Sequence, residues 1–430
     1  MTEIDSSGSV QELRFPMARR CPFAPPPEYE RLRADSPLVR VQLPHGGTAW
    51  VVTRHAEAQQ LLTDPRVSSD ASRPGFPSVR PPEEPPPADE AAGGGEPLTA
   101  EQLTELAEVA QFHEGQFINL DPPRHSHYRR MLISEFGARR MNQLRPEVQR
   151  ITDRLIDDML AQGSPADLVE DLGLPLSSLV ICQLLGVPYE DHEYFQSATR
   201  TLVQLNAGPE QVKAAMEGLI DFLDELVKAA VREPGNNLIG RLINEQVGTG
   251  ELTRAALVGM AFLLLTAGHE ATANMLPLGM LTLLEHPEQL AELRENPALL
   301  PGAVDELLRF HSVSDWAAFD RVALEDIEID GRKIKAGEGI YVLSASANRD
   351  ERAFERPDTF DIHRKARHHI AFGYGVHQCI GQNLARAELE IGLGTLLRRM
   401  PSLRLDKPMD ELPFKYGNLV FGLHAMPVRW

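Results

Sequence analysis

A mainly α fold with a small β-rich portion is predicted by three features of the 430-residue chain. Apolar residues recur at helical spacing from Thr99 to Leu299, short runs rich in Val, Ile and Trp flank that stretch on both sides, and Gly or Pro marks the breaks. In chain order, the segment Pro26 to Pro65 holds two extended pieces, Leu38-Val39-Arg40-Val41 and Ala49-Trp50-Val51-Val52-Thr53, and then a helical Ala56 to Thr63. Arg73 to Pro97 is too rich in Pro and Gly for regular structure and reads as a long surface loop, a candidate cover for a binding site. The helical body breaks at Asn206-Ala207-Gly208-Pro209 and at Pro234-Gly235-Asn236-Asn237. Its longest apolar stretch, Ala255 to Gly268, falls short of the ~18 residues that suggest a membrane span and reads as a buried helix. Strand-like pieces return at Ile327-Glu328-Ile329, Ile340-Tyr341-Val342-Leu343 and Leu419-Val420-Phe421. No linker divides the chain into halves, so residues 1–430 are expected to form a single domain.

A formal charge of −19 argues against a nucleic-acid partner, which would require a basic face. The start, Met1-Thr2-Glu3-Ile4-Asp5, is acidic and leads into no apolar run, so neither a secretory signal nor a membrane anchor is expected. Cys21, Cys182 and Cys379 are odd in number and far apart, which suggests no disulfide framework or multi-cysteine metal site and fits a cytoplasmic protein.

The strongest chemical signal is Phe372-Gly373-Tyr374-Gly375-Val376-His377-Gln378-Cys379-Ile380-Gly381, running into the helix-forming Gln382-Asn383-Leu384-Ala385-Arg386-Ala387-Glu388. Glycines at 373, 375 and 381 permit tight turns that aim backbone N–H groups at a sulfur just before a helix N-terminus, an environment that favours thiolate. A glycine-rich dinucleotide loop is excluded because Gln378 stands where that fingerprint needs glycine. A buried structural cysteine is the remaining alternative.

This run, continued by Leu384-Ala385-Arg386, resembles the haem-binding signature of the cytochrome P-450 superfamily. The resemblance extends from Arg20-Cys21-Pro22-Phe23 to the closing Gly422-Leu423-His424-Ala425-Met426-Pro427-Val428, in the manner of soluble actinobacterial members. It implies a triangular, mainly helical fold with haem b held between a long central distal helix and the cysteine-loop helix, and Cys379 as axial ligand to the iron.

Within Ala267-Gly268-His269-Glu270-Ala271-Thr272, the resemblance makes Ala267 and Gly268 the groove for dioxygen and Glu270 the acid that delivers protons. Ala271 occupies the family's usual threonine position, and Thr272 comes one residue late, rotated by about 100° on a helix of 3.6 residues per turn. Thr272 is therefore a candidate for the alcohol, with ordered water or a substrate hydroxyl as alternatives, and a purely structural ion pair is the alternative for Glu270. His269-Glu270 does not complete a zinc-protease motif, since position 273 is Ala. Glu306 and Arg309, three residues apart, can pair on one helical face and resemble the family's structural Glu-x-x-Arg pair. The family's third member is missing from Pro357-Asp358-Thr359-Phe360, and Arg364 is the nearest replacement. Buried haem propionates demand donors, and the candidates are His125, Arg129, Arg321 and His377, with Gly373 shaping the cofactor loop; His127 is left as an ordinary histidine.

The implied activity is insertion of one oxygen atom from O2 into a small hydrophobic organic substrate, a secondary metabolite or xenobiotic. No flavin- or nicotinamide-binding segment is evident, so ferredoxin and ferredoxin reductase are the implied electron donors, and Arg130, Arg139 and Arg140 are a candidate docking cluster. Two rival readings stand beside this one, a peroxide-driven peroxygenase and a non-catalytic haem-binding or recruitment module. The substrate pocket is expected along Leu264, Val313 to Ala317, Val420-Phe421, the segment Leu202 to Ala207 and the Pro/Gly-rich loop.

Overall fold

The apolar stretch beginning at Ala255 extends well beyond its expected end into a helix, Arg254–Leu284, on which the helical body is built. The computed structural model describes residues 3–4, 10–11, 13–81 and 99–430, so residues 82–97 of the Pro/Gly-rich loop and part of the acidic start lie outside the described residues. Thr253 opens this central helix by accepting the Ala256 N–H at its side chain. Helices Ala100–Gly115, Leu174–Leu185, Pro209–Arg232 and Gln382–Arg399 all pack on it. Neighbours on every side explain why its apolar residues are spread around the circumference instead of forming one stripe. By length and apolarity alone the helix could cross a membrane, but 67% of its most apolar window is buried inside the protein, as the reading of a buried helix expects.

Where Ala100–Gly115 meets the central helix, the backbones approach closely. A Cβ on Gly259 would lie 2.0 Å from the Phe112 carbonyl oxygen, and one on Gly115 would lie 2.0 Å from that of Ala256. Only glycine permits such an approach. The breaks expected around residues 206–209 and 234–237 separate helices His192–Val203, Pro209–Arg232 and Leu238–Leu242.

The two β-rich regions, 290 positions apart where they pair in parallel, are one five-stranded sheet in the order Leu38–Gln42, Thr48–Val52, Gly339–Val342, Asp320–Ala323, Val67–Ser68. Thr48–Val52 runs parallel to Gly339–Val342, and the other pairs are antiparallel. Ile327–Ile329 forms the expected strand in a separate hairpin. Leu419-Val420-Phe421 does not form a strand. Its backbone groups are divided between two partners, Leu419 N–H donating to Val203 and Phe421 N–H to Val313, so no continuous ladder develops.

Helix Leu300–His311 carries Glu306 and Arg309, whose side chains have no exposed surface. Arg309 donates to Glu306 at 2.6 and 2.8 Å and also to the carbonyls of Asn348 and Pro357. Arg364 completes the cluster, its Nε 3.1 Å from Glu306 Oε1, and the Asp361 N–H donates to the same oxygen. A buried charge is tolerable only when its polar atoms are all bonded, so removing one partner is costly. Glu306→Ala is expected to destabilise the protein by about 3–5 kcal/mol, read as a lowered denaturation midpoint with the slope of the transition unchanged.

Candidate functional site

Residues 370–381 are set by three backbone bonds: Gly373 N–H to Ile370, Gln378 N–H to Gly375, and Cys379 N–H to Phe372 at 2.8 Å. Gly373 and Gly375 have φ of 72° and 73°. A Cβ on Gly375 would also lie 2.5 Å from the Leu62 carbonyl oxygen, so this turn is closed to larger residues. Helix Gln382–Arg399 starts immediately after Gly381.

Burial raises the Cys379 thiol pKa, and the N–H groups of Gly381 and Gln382 with the charges of Arg129 and Arg386 offset only part of that rise. The loop N–H groups thus act toward thiolate, as expected, and against the effect of desolvation. The residue lines a cavity of about 260 Å³, which accounts for Cys379 being exposed despite the dense packing around it.

Across that cavity the central helix presents Ala267, Gly268, Ala271 and Thr272, with Leu264 one turn earlier. Val313 and Ala317 form a side wall. Val420 and Phe421 are not among the lining residues. Phe421 stacks parallel to Phe414 at 6.0 Å, lies under the Arg19 guanidinium, and donates its N–H to Val313 at 2.8 Å, so it supports the wall from behind. Neither the segment 202–207 nor the described part of the Pro/Gly-rich loop reaches the cavity. Phe117, Ile118, Ile181 and Met275 do reach it, contributed by elements whose apolar residues the sequence does not distinguish from core.

One edge of the cavity is rich in cations and donors. His125 and His377 face each other with ring centroids 4.1 Å apart. His125 is buried, and neither of its ring nitrogens has a hydrogen-bond partner among the described residues. Burial first, and then the positive charges of Arg129 and Arg321, depress the His125 pKa to about 4 and the His377 pKa to about 2. Arg129 lines the cavity and donates to the Gln378 carbonyl in the cysteine loop, whereas Arg321 is buried behind the two histidines, held by the carbonyl of Asp320 at 2.6 Å, and does not itself line the cavity. Unpaired buried donors beside two desolvated guanidinium groups form a receptor for a buried anion. The arrangement fits haem, with a thiol on one face, small residues opposite, and donors for propionates at the edge. His127 points elsewhere and meets the Glu251 carbonyl.

Glu270 is not among the residues lining this cavity. Its Oε1 accepts from Lys415 Nζ at 2.9 Å and from Asn274 Nδ2 at 3.0 Å, and both charged side chains are buried. Burial alone would raise the Glu270 pKa. The charges of Lys415 and His269 and the hydrogen bonds from Lys415 and Asn274 more than offset that, leaving the carboxyl below its ordinary range. Sequence reasoning missed Lys415, whose only signal was a lone lysine in the apolar run Pro413-Phe414-Lys415-Tyr416. It also missed Glu388, which lines the cavity with its Oε2 unbonded among the described residues. Burial raises its pKa well above the carboxylate range.

The family model of cytochrome P-450 matches residues 99–428. The chain belongs to the cytochrome P-450 family and is a monooxygenase of that family. It is 47% identical over 430 residues to pentalenic acid synthase of Streptomyces avermitilis, covering 100% of both chains. It is 46% identical to vitamin D3 dihydroxylase of Streptomyces griseolus, with 97% of this chain and 96% of the relative covered. Among solved structures it is similar to mycinamicin VIII C21 methyl hydroxylase from Micromonospora griseorubida bound to mycinamicin VIII. That match has a TM-score of 0.85 and 41% identity, and covers 97% of this chain and 100% of the other. The family implies a haem-thiolate cofactor and O2.

Hydrogen bonds to charged partners contribute about 1.5–3 kcal/mol each, so His125→Ala and Arg321→Ala are each expected to weaken haem retention by roughly 10- to 100-fold. Transfer of haem to apomyoglobin measures this, and unchanged transfer rates in both variants would remove these residues from the propionate site.

Proposed function

We propose that the chain binds haem b with Cys379 as the axial thiolate. It would insert one oxygen atom of O2 into a small hydrophobic organic molecule, a secondary metabolite or xenobiotic. The observation that carries this reading is the placement of Cys379 opposite Ala267 and Gly268 across one cavity whose edge holds unpaired donors and cations. Haem so held would supply the redox chemistry that activates O2 and oxidises a C–H or C=C bond.

The chain's own residues do the rest. N–H groups of Gly381 and Gln382 moderate the charge on the Cys379 sulfur, while Arg129, Arg321, His125 and His377 receive the carboxylates of the cofactor. Leu264, Ala267, Val313 and Ala317 exclude water and hold an apolar molecule against the reacting face. Thr272, buried and lining the cavity, is positioned to hold a water or hydroxyl for proton transfer there. Residues 1–430 act as one domain in this reading.

Electrons come from ferredoxin and its reductase. Arg130 and Arg139 are exposed on two successive helices, the first of which reaches the cysteine loop through Arg129, and Tyr374 and Val376 of that loop are exposed as well, basic and apolar surface suited to an acidic carrier. Arg140 is partly engaged with Glu135. The substrate class follows the activities of the relatives, which include a vitamin D3 dihydroxylase and a mycinamicin methyl hydroxylase.

The test is an optical titration of the ferric holoprotein with vitamin D3 and mycinamicin VIII. A saturable low-to-high spin shift of the Soret band is expected with at least one apolar ligand of this kind. A strongly red-shifted carbon monoxide band in the reduced protein is expected, and its loss in Cys379→Ser. A wild type without that band overturns the thiolate assignment. Turnover sustained by peroxide alone, with none from ferredoxin, would favour the peroxygenase.

A further inference from the structure

The side wall of the cavity is a turn whose backbone is strained. Val313, Ser314, Ala317 and Ala318 line the cavity, whereas Asp315 and Trp316 of the same turn do not. Among the described residues, five other than glycine have a left-handed φ. Three of them, Ser312 at 42°, Asp315 at 39° and Ala318 at 66°, fall within residues 312–318. Residues with a Cβ are costly in that conformation and stay there only where surrounding contacts hold them. The shape of this wall therefore has to be explained by what lies behind it.

Each strained residue is bonded from outside the turn. Ser312 Oγ accepts from Asn348 Nδ2 at 2.8 Å, and Arg321 donates to the Ala318 carbonyl at 3.4 Å. Asp315 is held most firmly. Its Oδ2 accepts the Tyr29 hydroxyl at 2.8 Å, its Oδ1 accepts the Ala345 N–H at 3.1 Å, and its carbonyl accepts the Ser344 hydroxyl at 2.7 Å. Tyr29 lies on helix Glu28–Asp35, 286 positions earlier in the chain, and has no exposed surface. Beside Asp315, Trp316 packs on Phe15 and Tyr341 with ring centroids 5.2 and 5.6 Å away. Arg19 donates to the His311 carbonyl at 2.9 Å, where the helix before the turn ends. Phe15, Arg19 and Tyr29 all precede strand Leu38–Gln42, so one N-terminal segment backs the whole wall.

We propose that Tyr29 is a specificity-determining positioning residue that, through Asp315, holds Val313 and Ala317 in one place and so decides which bulky molecules the cavity accepts. This deepens the oxygenase reading above and rests on it. Burial raises the Asp315 pKa, and the Arg19 charge with the bonds from Tyr29 and Ala345 offsets only part of that rise. Removing the Tyr29 hydroxyl leaves a buried acceptor short of a donor. The turn then relaxes from its left-handed conformations, and Val313 and Ala317 lose their single position. A ligand large enough to touch the wall must order it again and binds more weakly. A ligand confined to the space beside the cysteine is unaffected. A tyrosine that only filled the core would lower stability without separating the two ligands.

The experiment compares the wild-type holoenzyme with Tyr29→Phe, which keeps the ring and removes the hydroxyl, and with Asp315→Ala, which removes both side-chain anchors of the turn. Hydrogen exchange read by mass spectrometry is expected to be several-fold faster at residues 312–319 in both variants and unchanged at residues 370–381. Optical titrations of the ferric proteins use imidazole and clotrimazole, an imidazole bearing three aryl rings. Both variants are expected to bind clotrimazole several-fold more weakly and imidazole as the wild type does. Unchanged exchange at 312–319 overturns the proposal, and so does a rise that is equal at 370–381. An unaltered ratio of the two affinities overturns it as well, and each variant is held to the same criteria, so the test survives the loss of either one to misfolding. A wild type lacking the red-shifted carbon monoxide band would instead sink the oxygenase reading while the exchange criterion still stands, so the two failures are distinguishable.

Discussion

Glu306 accepts four hydrogen bonds without any exposed surface, and the position of the cysteine loop can be traced back to it. Arg309 and Arg364 hold its two oxygens, and Arg309 reaches on to the carbonyl of Asn348. The Asn348 side chain in turn accepts the Ile370 N–H at 2.8 Å and donates to Ser312. Ile370 accepts from Gly373, and Phe372 accepts from Cys379. On the same helix, Asp305 receives Arg386 from the helix that follows the cysteine. The loop is thereby clamped on both flanks by one helix. Such a network is stable only when complete, which is why the cluster is costly to interrupt and why it fixes the thiol in a single place.

That fixed thiol faces a helix which is apolar around nearly its whole circumference. Two of the polar side chains the helix carries are held by specific neighbours, His269 by Thr199 and Glu270 by Lys415 and Asn274, while Thr272 lines the cavity. The cavity is left with small residues on its distal wall and with cations at one edge. The Glu306 and Asp305 charges hold the loop from one helix, and Arg129 at the cavity edge also bonds it through the Gln378 carbonyl.

Much of this was legible because it is local. The helical body, its breaks near residues 206 and 234, the strands at 38–42 and 48–52, and the Gly-rich turn into the cysteine depend on periodicity and on the conformations that Gly and Pro allow. The Glu306–Arg309 spacing is local too, and so is the adjacency of Ala267, Gly268 and Thr272 along one helix. Failures came where a residue's partner is distant in sequence. Leu419 to Phe421 has the composition of a strand, yet its N–H groups go to Val203 and Val313. Phe421 supports the pocket wall instead of lining it, and Glu388 reads as an ordinary charged position on a helix until its burial is seen.

The amino-acid sequence was sufficient for the family, the cysteine, and the small residues expected to face it, since a ten-residue turn motif and a helical period are written in neighbouring positions. Folding alone settled the orientation of Glu270, whose rotation toward Lys415 depends on a hairpin 145 positions away. It alone settled the joining of the two β regions into one sheet and the gathering of His125, Arg129 and His377 at one edge of the cavity with the Arg321 charge close by. Burial and long-range charge act through space, and no spacing along the chain records which distant group will arrive to satisfy them.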